Sequence, residues 1–279
     1  MIDLIDISSV SRVSDWVELN VVFFSTTFSK SKLITILENN EFEPDHEDSW
    51  DEFFDSILQE LDRRCTLYGR NAPIRISGNI IEPTRNWADC PEYILCLYFS
   101  YWGAENAHAG TKLFERICNE ALKSYLNGNA ITLGFPNEQS LSNQLDQLAI
   151  LLFEQRGNRN PASSDKDRGV DVVGWKSFND NRNAQIIILM QCAAGRTWEK
   201  KKQIPLNTWV QYIHWNFHTT IPCMALTEIV DRRRWQNRVD DYGIIFDRSR
   251  IYSNIYNGAF IINAELREAV IEWCDNNLN

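Results

Sequence analysis

Apolar residues recur at helical spacing in several stretches of the first hundred residues. The spacing predicts a short helix over 29–40. It also predicts a longer helix within 41–65, where Ser49 and Glu52 have the spacing of a capping box. Periodicity does not decide the structure of 14–24, which fits either a helix or a strand.

Two other stretches in this part of the chain are typical of strands. Residues 72–81 alternate between apolar and polar positions, as in a strand with one buried face. The run EYILCLYFSYW at 92–102 is apolar and rich in β-type residues, which predicts a buried strand. The first hundred residues are therefore predicted to form an α+β region.

From residue 110 onward, the pattern predicts helices and strands in alternation. The predicted elements are a helix at 110–128, a strand at 129–135, a helix at 137–157, strands at 169–178 and 184–192, a helix at 197–215 around Pro205, a strand at 221–230 and a helix at 263–277. This order predicts an α/β fold in which a mixed central sheet is flanked by helices.

The acidic side chains are concentrated at the N-terminal end of the chain. The protein has 279 residues and a net charge of −10. Residues 1–100 contain 18 acidic and 8 basic side chains, whereas 101–279 contain 20 of each. This difference predicts an acidic accessory region, 1–103, and a core, 104–279. Because a negative surface repels nucleic acid, we expect the accessory region to dock a basic protein partner or a second copy of the chain.

Composition argues against several classes of protein. Seven cysteines are scattered without a CxxC pair, which disfavours a zinc ribbon or a redox motif and favours reduced thiols. The N-terminus lacks the basic and apolar regions of a secretory signal, and no apolar run is long enough to span a bilayer. We therefore expect a cytoplasmic protein without a membrane segment.

Polar side chains stand at the ends of two apolar strands. Asp171 lies among valines at the start of one predicted strand, and Gln191 ends the next. If the two strands pair, both side chains reach the same end of the sheet, where Glu115 of the preceding helix can also be directed. Oxygen ligands of this kind suit Mg²⁺ or Mn²⁺. The three residues therefore form a candidate metal site.

These residues occur in segments that resemble the PD-(D/E)XK nuclease superfamily. The segments are GTKLFERICNEAL, DRGVDVVGW and IILMQCAAG, and the resemblance covers roughly residues 107–230. The family pattern is a helix with Glu, a strand hairpin with Asp and a (D/E/Q)-x-K tripeptide, then a helix and a strand. The match looks most like the Mrr-type branch. It implies a restriction-endonuclease-like core in which Glu115, Asp171 and Gln191 bind Mg²⁺ for DNA cleavage.

The chain departs from the family pattern at the catalytic lysine. That lysine would stand two residues after Gln191, where this sequence has Ala193. Its role can pass to Arg196 or to Lys200, which lie at the entry of the next predicted helix. Lys200 is the better candidate, because a guanidinium stays protonated and is a poor base.

Basic side chains of the core occur in clusters that suit phosphate binding. The residues predicted to contact nucleic acid are Lys176, Lys201, Lys202, Arg232, Arg233 and Arg234. The alternative is that these clusters are solvated helix faces with no ligand.

Three further acidic residues are alternatives or additions to the candidate metal site. Glu154 follows a phenylalanine on a helix, as Glu115 does, and is its rival. Asp165 and Asp167 precede Asp171 in a polar loop, where either can help to bind a second metal ion.

A histidine pair gives a weaker signal for metal binding. His214 and His218 have the four-residue spacing of ligands on a helix. No third ligand accompanies them, and the segment runs into a strand, so this interpretation is disfavoured.

The sequence therefore predicts one of two functions. The first is a Mg²⁺-dependent endonuclease within a restriction or anti-phage defence complex, with an ATPase or another defence component as its partner. The second is an inactive nuclease fold that serves as a binding or assembly subunit. Ala193 in place of lysine and the neutral Gln191 favour the second.

Overall fold

The computed structural model describes residues 2, 9–40, 50–105, 107–133, 140–162, 167–178, 180–215 and 220–278. The predictions made for Ser49, Asp165 and His218 lie outside these residues. Within the described ranges, no helix is both long enough and apolar enough to cross a bilayer.

Helices and strands alternate through most of the described chain. The helices are α1 Val10–Phe23, α2 Lys30–Asn39, α3 Trp50–Tyr68, α4 Pro91–Trp102, α5 His108–Leu126, α6 Leu141–Leu152, α7 Leu206–Tyr212, α8 Arg232–Tyr242, α9 Arg248–Tyr256 and α10 Ala264–Leu278. The strands are β1 Phe28–Ser29, β2 Ile74–Ser77, β3 Ile80–Pro83, β4 Asn129–Thr132, β5 Gln155–Arg156, β6 Val172–Lys176, β7 Ile186–Ala193, β8 Ile213–His214, β9 Ile221–Leu226 and β10 Ile244–Phe246.

A five-stranded mixed sheet lies at the centre of the fold, with the strand order β10–β9–β7–β6–β4. β4, β6 and β7 pair in antiparallel fashion, whereas β7, β9 and β10 run parallel. Met190 of β7 is opposite Val172 of β6 on one side and Cys223 of β9 on the other. The predicted mixed sheet with flanking helices is confirmed, while α8, β10 and α9 were not predicted.

The two faces of this sheet are covered by different elements. Met190 and Cys192 of β7 belong to the same buried cluster as Phe114 of α5. Leu189, the residue before Met190, belongs to a second cluster with Trp209 of α7. Because successive side chains of a strand point to opposite faces, β7 is buried on both sides and is apolar almost throughout.

The stretch 92–102 forms helix α4, so the predicted strand is wrong. Residues 93–97 are each at most 2% exposed, which means that the helix is buried on all sides. An all-round apolar helix has no polar face and therefore lacks the periodicity that identifies helices in a sequence. Pro91 at its first turn and Gly103 at its C-cap mark its ends. The undecided stretch 14–24 lies mostly in α1, which is buried in the same way.

Two predicted elements are divided in the structure. The single strand expected at 72–81 is a hairpin of β2 and β3, which turns at Gly78 with a φ of 59°. The helix expected at 197–215 consists of a 3₁₀ turn at 198–200 and the short helix α7. Pro205 separates them, because it has no N–H to donate to a preceding turn.

One hydrophobic core extends across the boundary predicted at 103/104. Helix α4 packs against α1 on one side and against α5 and α10 on the other. Phe99 of α4 stacks on Trp273 of α10, with 5.5 Å between the ring centroids. The acidic region and the rest of the chain therefore share apolar packing.

Four charged side chains are buried together within the shared core. Asp15 and Glu18 lie on α1, Arg64 on α3 and Arg248 at the start of α9, and each is at most 3% exposed. Arg64 Nη1 lies 2.6 Å from Asp15 Oδ1 and 3.2 Å from Glu18 Oε1. Arg248 Nη2 lies 2.7 Å from Asp15 Oδ1 and 3.4 Å from Glu18 Oε2. Because each charge faces two charges of opposite sign, the network is balanced.

Hydrogen bonds and pKa values are consistent with this balance. Tyr68 donates its hydroxyl proton to Glu18 Oε2 over 2.8 Å. Burial by itself raises the pKa of Asp15, but the charges of Arg248 and Arg64 outweigh burial and lower that pKa to about 2. Asp15 therefore stays ionised inside the core at neutral pH.

Replacing Arg248 by Met is expected to lower the free energy of unfolding by about 3–5 kcal/mol, because Asp15 and Glu18 then share a single cation. Urea denaturation at neutral pH measures the change. Arg75→Ala is the control, since its exposed ion pair with Glu82 contributes at most about 1 kcal/mol. Equal urea midpoints for the two variants would contradict the proposed role of the network.

Candidate active site

The β6–β7 hairpin opens at the end where Asp171 lies. Strand β7 continues to Ala193, three residues past Met190, the last residue that it pairs with β6. Asp171 precedes β6, and its main-chain N–H still donates to Met190 O over 2.9 Å. Beyond that bond, the main chain of β7 has no strand partner on the β6 side and is available to side chains.

Cys192 binds two opposite charges with its main chain. Its N–H donates to Asp171 Oδ2 over 2.7 Å, and its carbonyl oxygen accepts from Lys201 Nζ over 2.8 Å. Since the N–H and C=O of one strand residue point to the same side, the Asp171 carboxylate and the Lys201 ammonium occupy the same opening. Lys201 comes from the turn that follows the 3₁₀ segment at 198–200.

Glu115 reaches the same region from α5. Its carboxylate is bound by Lys112 Nζ at 3.0 and 2.9 Å, three residues earlier on the helix. Burial raises the pKa of Glu115, Lys112 opposes this rise, and the negative charge of Asp167 adds to it. Glu115 is therefore half-buried and lies close enough to the loop before β6 for the charge of Asp167 to act on it.

The pKa of Asp171 is raised to about 6. Burial is the largest cause, and the Cys192 N–H opposes it. The charges of Glu115 and Asp167 raise the pKa further, while Lys201 lowers it. Neighbouring negative charges that raise the pKa of a carboxylate favour the binding of a proton. The same negative charges also favour the binding of a metal cation.

Gln191 lies beside this group but on the other face of β7. Its neighbours Met190 and Cys192 face α5, so the alternation of the strand directs Gln191 away from that helix. It lines a cavity of about 230 Å³ on the far side of the sheet. Gln191 Nε2 lies close to Gly169, since a Cβ added to that glycine would be 3.2 Å from it. The Gln191 amide is therefore next to the loop that carries Asp171.

The donor set suits a divalent cation in part. The buried Gln191 Oε1 has no hydrogen-bond partner among the described residues. It faces the far side of the sheet and does not join the carboxylates of Asp171 and Glu115. No group of three His, Cys, Asp or Glu side chains able to hold a metal ion occurs in the described chain. Mg²⁺ binds proteins through one or two carboxylates with several waters, so Asp171 with Glu115 nearby is compatible with it.

Two residues considered from the sequence lie at the opposite end of the hairpin. Lys176 ends β6 and donates to the carbonyl of Asn127; at strand spacing it is roughly 16 Å from Asp171. Glu154 accepts from the N–H of Ala184, just before β7 begins. Neither joins the group at Asp171, so Glu154 is not a rival of Glu115 in the folded chain.

The other side chains predicted for the site, Arg196, Lys200 and Lys202, are exposed. Arg196 packs over Gly103, where an added Cβ would be 3.4 Å from its Cδ. His214, considered and disfavoured as a metal ligand, is an exposed residue of β8 and not of a helix.

The arginines at 232–234 begin α8, which follows β9. β9 runs parallel to β7, and Ala193 and Leu226 are opposite one another at their ends. The arginines therefore lie at the same edge of the sheet as Asp171.

Sequence reasoning assigned Lys201 to phosphate binding and preferred Lys200 as the substitute lysine. The structure brings Lys201, not Lys200, to Asp171. The signal in the sequence was the triplet Lys200-Lys201-Lys202, but spacing within a turn does not reveal which of three adjacent, exposed lysines donates to the Cys192 carbonyl. Asp167, weighed from the sequence as a helper for a second metal ion, is part of the charge cluster.

Comparisons with known proteins match this chain to no protein family, curated protein or solved structure. The chemistry of the site therefore rests on the residues and contacts of this chain.

Asp171→Asn is expected to stabilise the protein at about pH 7.5 in the presence of a chelator. An acidic group whose pKa is higher in the folded than in the unfolded chain lowers the free energy of unfolding at pH values above its folded-state pKa, here about 6. This destabilisation disappears once the pH falls below the pKa of the same group in the unfolded chain. The gain in thermal midpoint should therefore vanish near pH 4. Asn keeps an acceptor for the Cys192 N–H, so packing is preserved.

The matched control is Asp240→Asn, whose carboxylate is exposed on α8. Its midpoint should stay the same at both pH values. A loss of stability in Asp171→Asn at about pH 7.5 would contradict the electrostatic account of the site.

Proposed function

We propose that this protein is a metal-dependent nuclease that hydrolyses phosphodiester bonds in DNA. One observation carries the proposal: the Asp171 carboxylate and the Lys201 ammonium are held by the main chain of one residue, Cys192. A carboxylate that can bind a metal ion and a nearby ammonium are groups that can activate water and stabilise charge on a scissile phosphate. Glu115 adds a carboxylate next to this pair.

The order of elements supports the same proposal. α5 carries Glu115, β6 and β7 form the hairpin with Asp171 and Gln191, and α7 and β9 follow. β9 adds parallel to β7. This is the succession of helix, hairpin, helix and strand expected from the resemblance to PD-(D/E)XK nucleases, with β4 completing the sheet beside β6.

Lys201 is the candidate to replace the motif lysine, which this chain lacks. Ala193 occupies the motif position and is buried. Lys201 comes from the following turn, and its Nζ reaches the carbonyl of Cys192, next to that position. In the proposed reaction, this ammonium neutralises charge on the scissile phosphate and orients the attacking water.

Asp171 would hold the metal ion, and Glu115 would act through water or as a further ligand. A bound divalent ion supplies an activated water and stabilises negative charge on the phosphate. The chain itself contributes a carboxylate that is fixed by the Cys192 N–H. Lys112, paired with Glu115, limits the negative charge that a phosphate meets on approach.

A specific observation favours the second candidate, an inactive nuclease fold that serves as a binding or assembly subunit. Glu115 is already bound by Lys112 at both oxygens, and Gln191 faces the side of β7 away from α5. In this alternative, Asp171 and Lys201 serve only to hold the end of strand β7 through the main chain of Cys192. Cytoplasmic location and a partner ATPase or other defence component remain predictions from the sequence.

Cleavage of plasmid DNA in Mg²⁺ or Mn²⁺ tests the proposal. Asp171→Asn is expected to abolish cleavage, and Lys201→Met to reduce the rate by about 100-fold or more, because positioned acid–base and electrostatic groups contribute on that scale. Lys200→Met is the matched control: it removes an adjacent, exposed lysine and should leave the rate within about threefold of the original.

The assay is run with the purified chain alone and together with candidate partner proteins. No metal-dependent cleavage under any of these conditions, with DNA binding retained, would support the assembly subunit. Equal losses from Lys200→Met and Lys201→Met would remove the special role of Lys201.

A further inference from the structure

A cleft at the edge of the sheet lies between the N-terminal helices and α8. It has a volume of about 750 Å³. One wall is formed by the start of α1 and by α3, and the other by residues 229–234. Its lining residues are Ser9, Val10, Ser11, Ser56, Gln59, Glu60, Arg63, Ile229, Asp231, Arg232, Arg233 and Arg234.

This cleft is positively charged in a protein that is acidic overall. Among the described residues that line it are four arginines and two carboxylates, those of Glu60 and Asp231. Arg232 and Arg233 are exposed, and neither has an ion-pair partner among the described residues. Unpaired guanidinium groups that converge on one cleft are suited to phosphate, which they bind through paired N–H donors.

The two carboxylates of the cleft are already engaged. Arg63 binds Glu60 at both oxygens over 2.8 Å, and Arg64 binds the same carboxylate at 2.7 Å. Burial raises the pKa of Glu60, but these two arginines outweigh it and lower that pKa. Asp231 caps α8 by accepting from the N–H of Arg233 over 2.7 Å. The terminus of α8 is thus satisfied internally, and the arginine side chains are the groups available to a ligand.

The cleft adjoins the candidate active site. Arg234 Nη1 lies 2.6 Å from Glu199 Oε1, and Glu199 is two residues from Lys201. Tyr242 of α8 donates its hydroxyl to the carbonyls of Glu199 and Lys201, at 3.2 and 3.1 Å. α8 is therefore joined directly to the segment that presents Lys201 at the Asp171 opening.

We propose that this cleft binds backbone phosphates of the same nucleic acid strand that reaches Asp171. The arginines and the Asp171 opening lie along one edge of the sheet, and the cleft is larger than a single phosphate ion requires. The N-terminal region then forms a wall of the substrate surface, although its overall charge led us to expect that it avoids nucleic acid. This inference rests on the proposed function, and it is tested by binding alone.

Binding is measured by fluorescence anisotropy with labelled DNA and RNA oligonucleotides, in EDTA and in the Asp171→Asn background so that no hydrolysis occurs. Arg232→Ala/Arg233→Ala is expected to weaken binding about tenfold and to reduce the slope of log K against log salt by about 1.4–1.8, the effect of two lost phosphate contacts. The control, Arg75→Ala/Arg182→Ala, removes two arginines outside the cleft and should change neither quantity.

A second pair of variants tests the wall formed by α3. Gln59→Glu places one negative charge in the cleft without changing the size of the side chain, and it is expected to weaken binding about threefold to tenfold. Gln147→Glu makes the same change on the exposed face of α6, outside the cleft, and should have no effect. Urea midpoints confirm that all variants are folded.

The proposal is overturned if the cleft variants bind oligonucleotide with unchanged affinity and salt slope. It is also overturned if inorganic tripolyphosphate binds at the arginines while no oligonucleotide does, since the cleft would then be a small-anion site. Loss of binding in the cleft variants without metal-dependent cleavage would defeat the nuclease proposal alone. Cleavage that needs Asp171 but is insensitive to the cleft variants would defeat this inference alone.

Discussion

The buried ion network of Asp15, Glu18, Arg64 and Arg248 is the interaction on which the arrangement of this protein depends. Burying four charges is costly unless each faces opposite charge at short distance, so α1, α3 and α9 have little freedom in their relative positions. α9 directly follows β10, which places the network beside the carboxyl edge of the parallel strands. The N-terminal helices are thereby fixed against the same edge that carries the candidate site.

The polar side chains at that edge are held there because β7 is longer than β6 at this end of the sheet. Because β7 extends past the point where its pairing with β6 ends, the Cys192 main chain is free to bind side chains. One peptide donor and one acceptor then hold a carboxylate and an ammonium side by side without a direct bond being needed between them. Burial and the neighbouring acids raise the pKa of Asp171, so the site is poised for a cation while remaining open at the rim.

The proposed cleft illustrates that the net charge of a chain does not predict the charge of each part of its surface. A balance of −10 for the whole chain describes solubility and long-range repulsion. It does not describe a local surface in which Arg232 and Arg233 point outward while Glu60 is neutralised by its own arginines. An acidic region can in this way contribute a wall that carries little net charge, because the range of an exposed charge is limited to about 10 Å at moderate salt.

The sequence by itself determined the mixed sheet, the helix that carries Glu115 and the hairpin that carries Asp171. The helix has a clear apolar period, and the two hairpin strands are short apolar runs joined by a polar turn. It did not reveal α4, since a helix buried on all sides has no polar face. Only the tertiary structure decided that Lys201 and not Lys200 meets Asp171, and that Gln191 points to the other face of β7. Those outcomes depend on where a strand stops pairing and on how a turn is packed. Both are fixed by contacts between distant segments, which local periodicity does not encode.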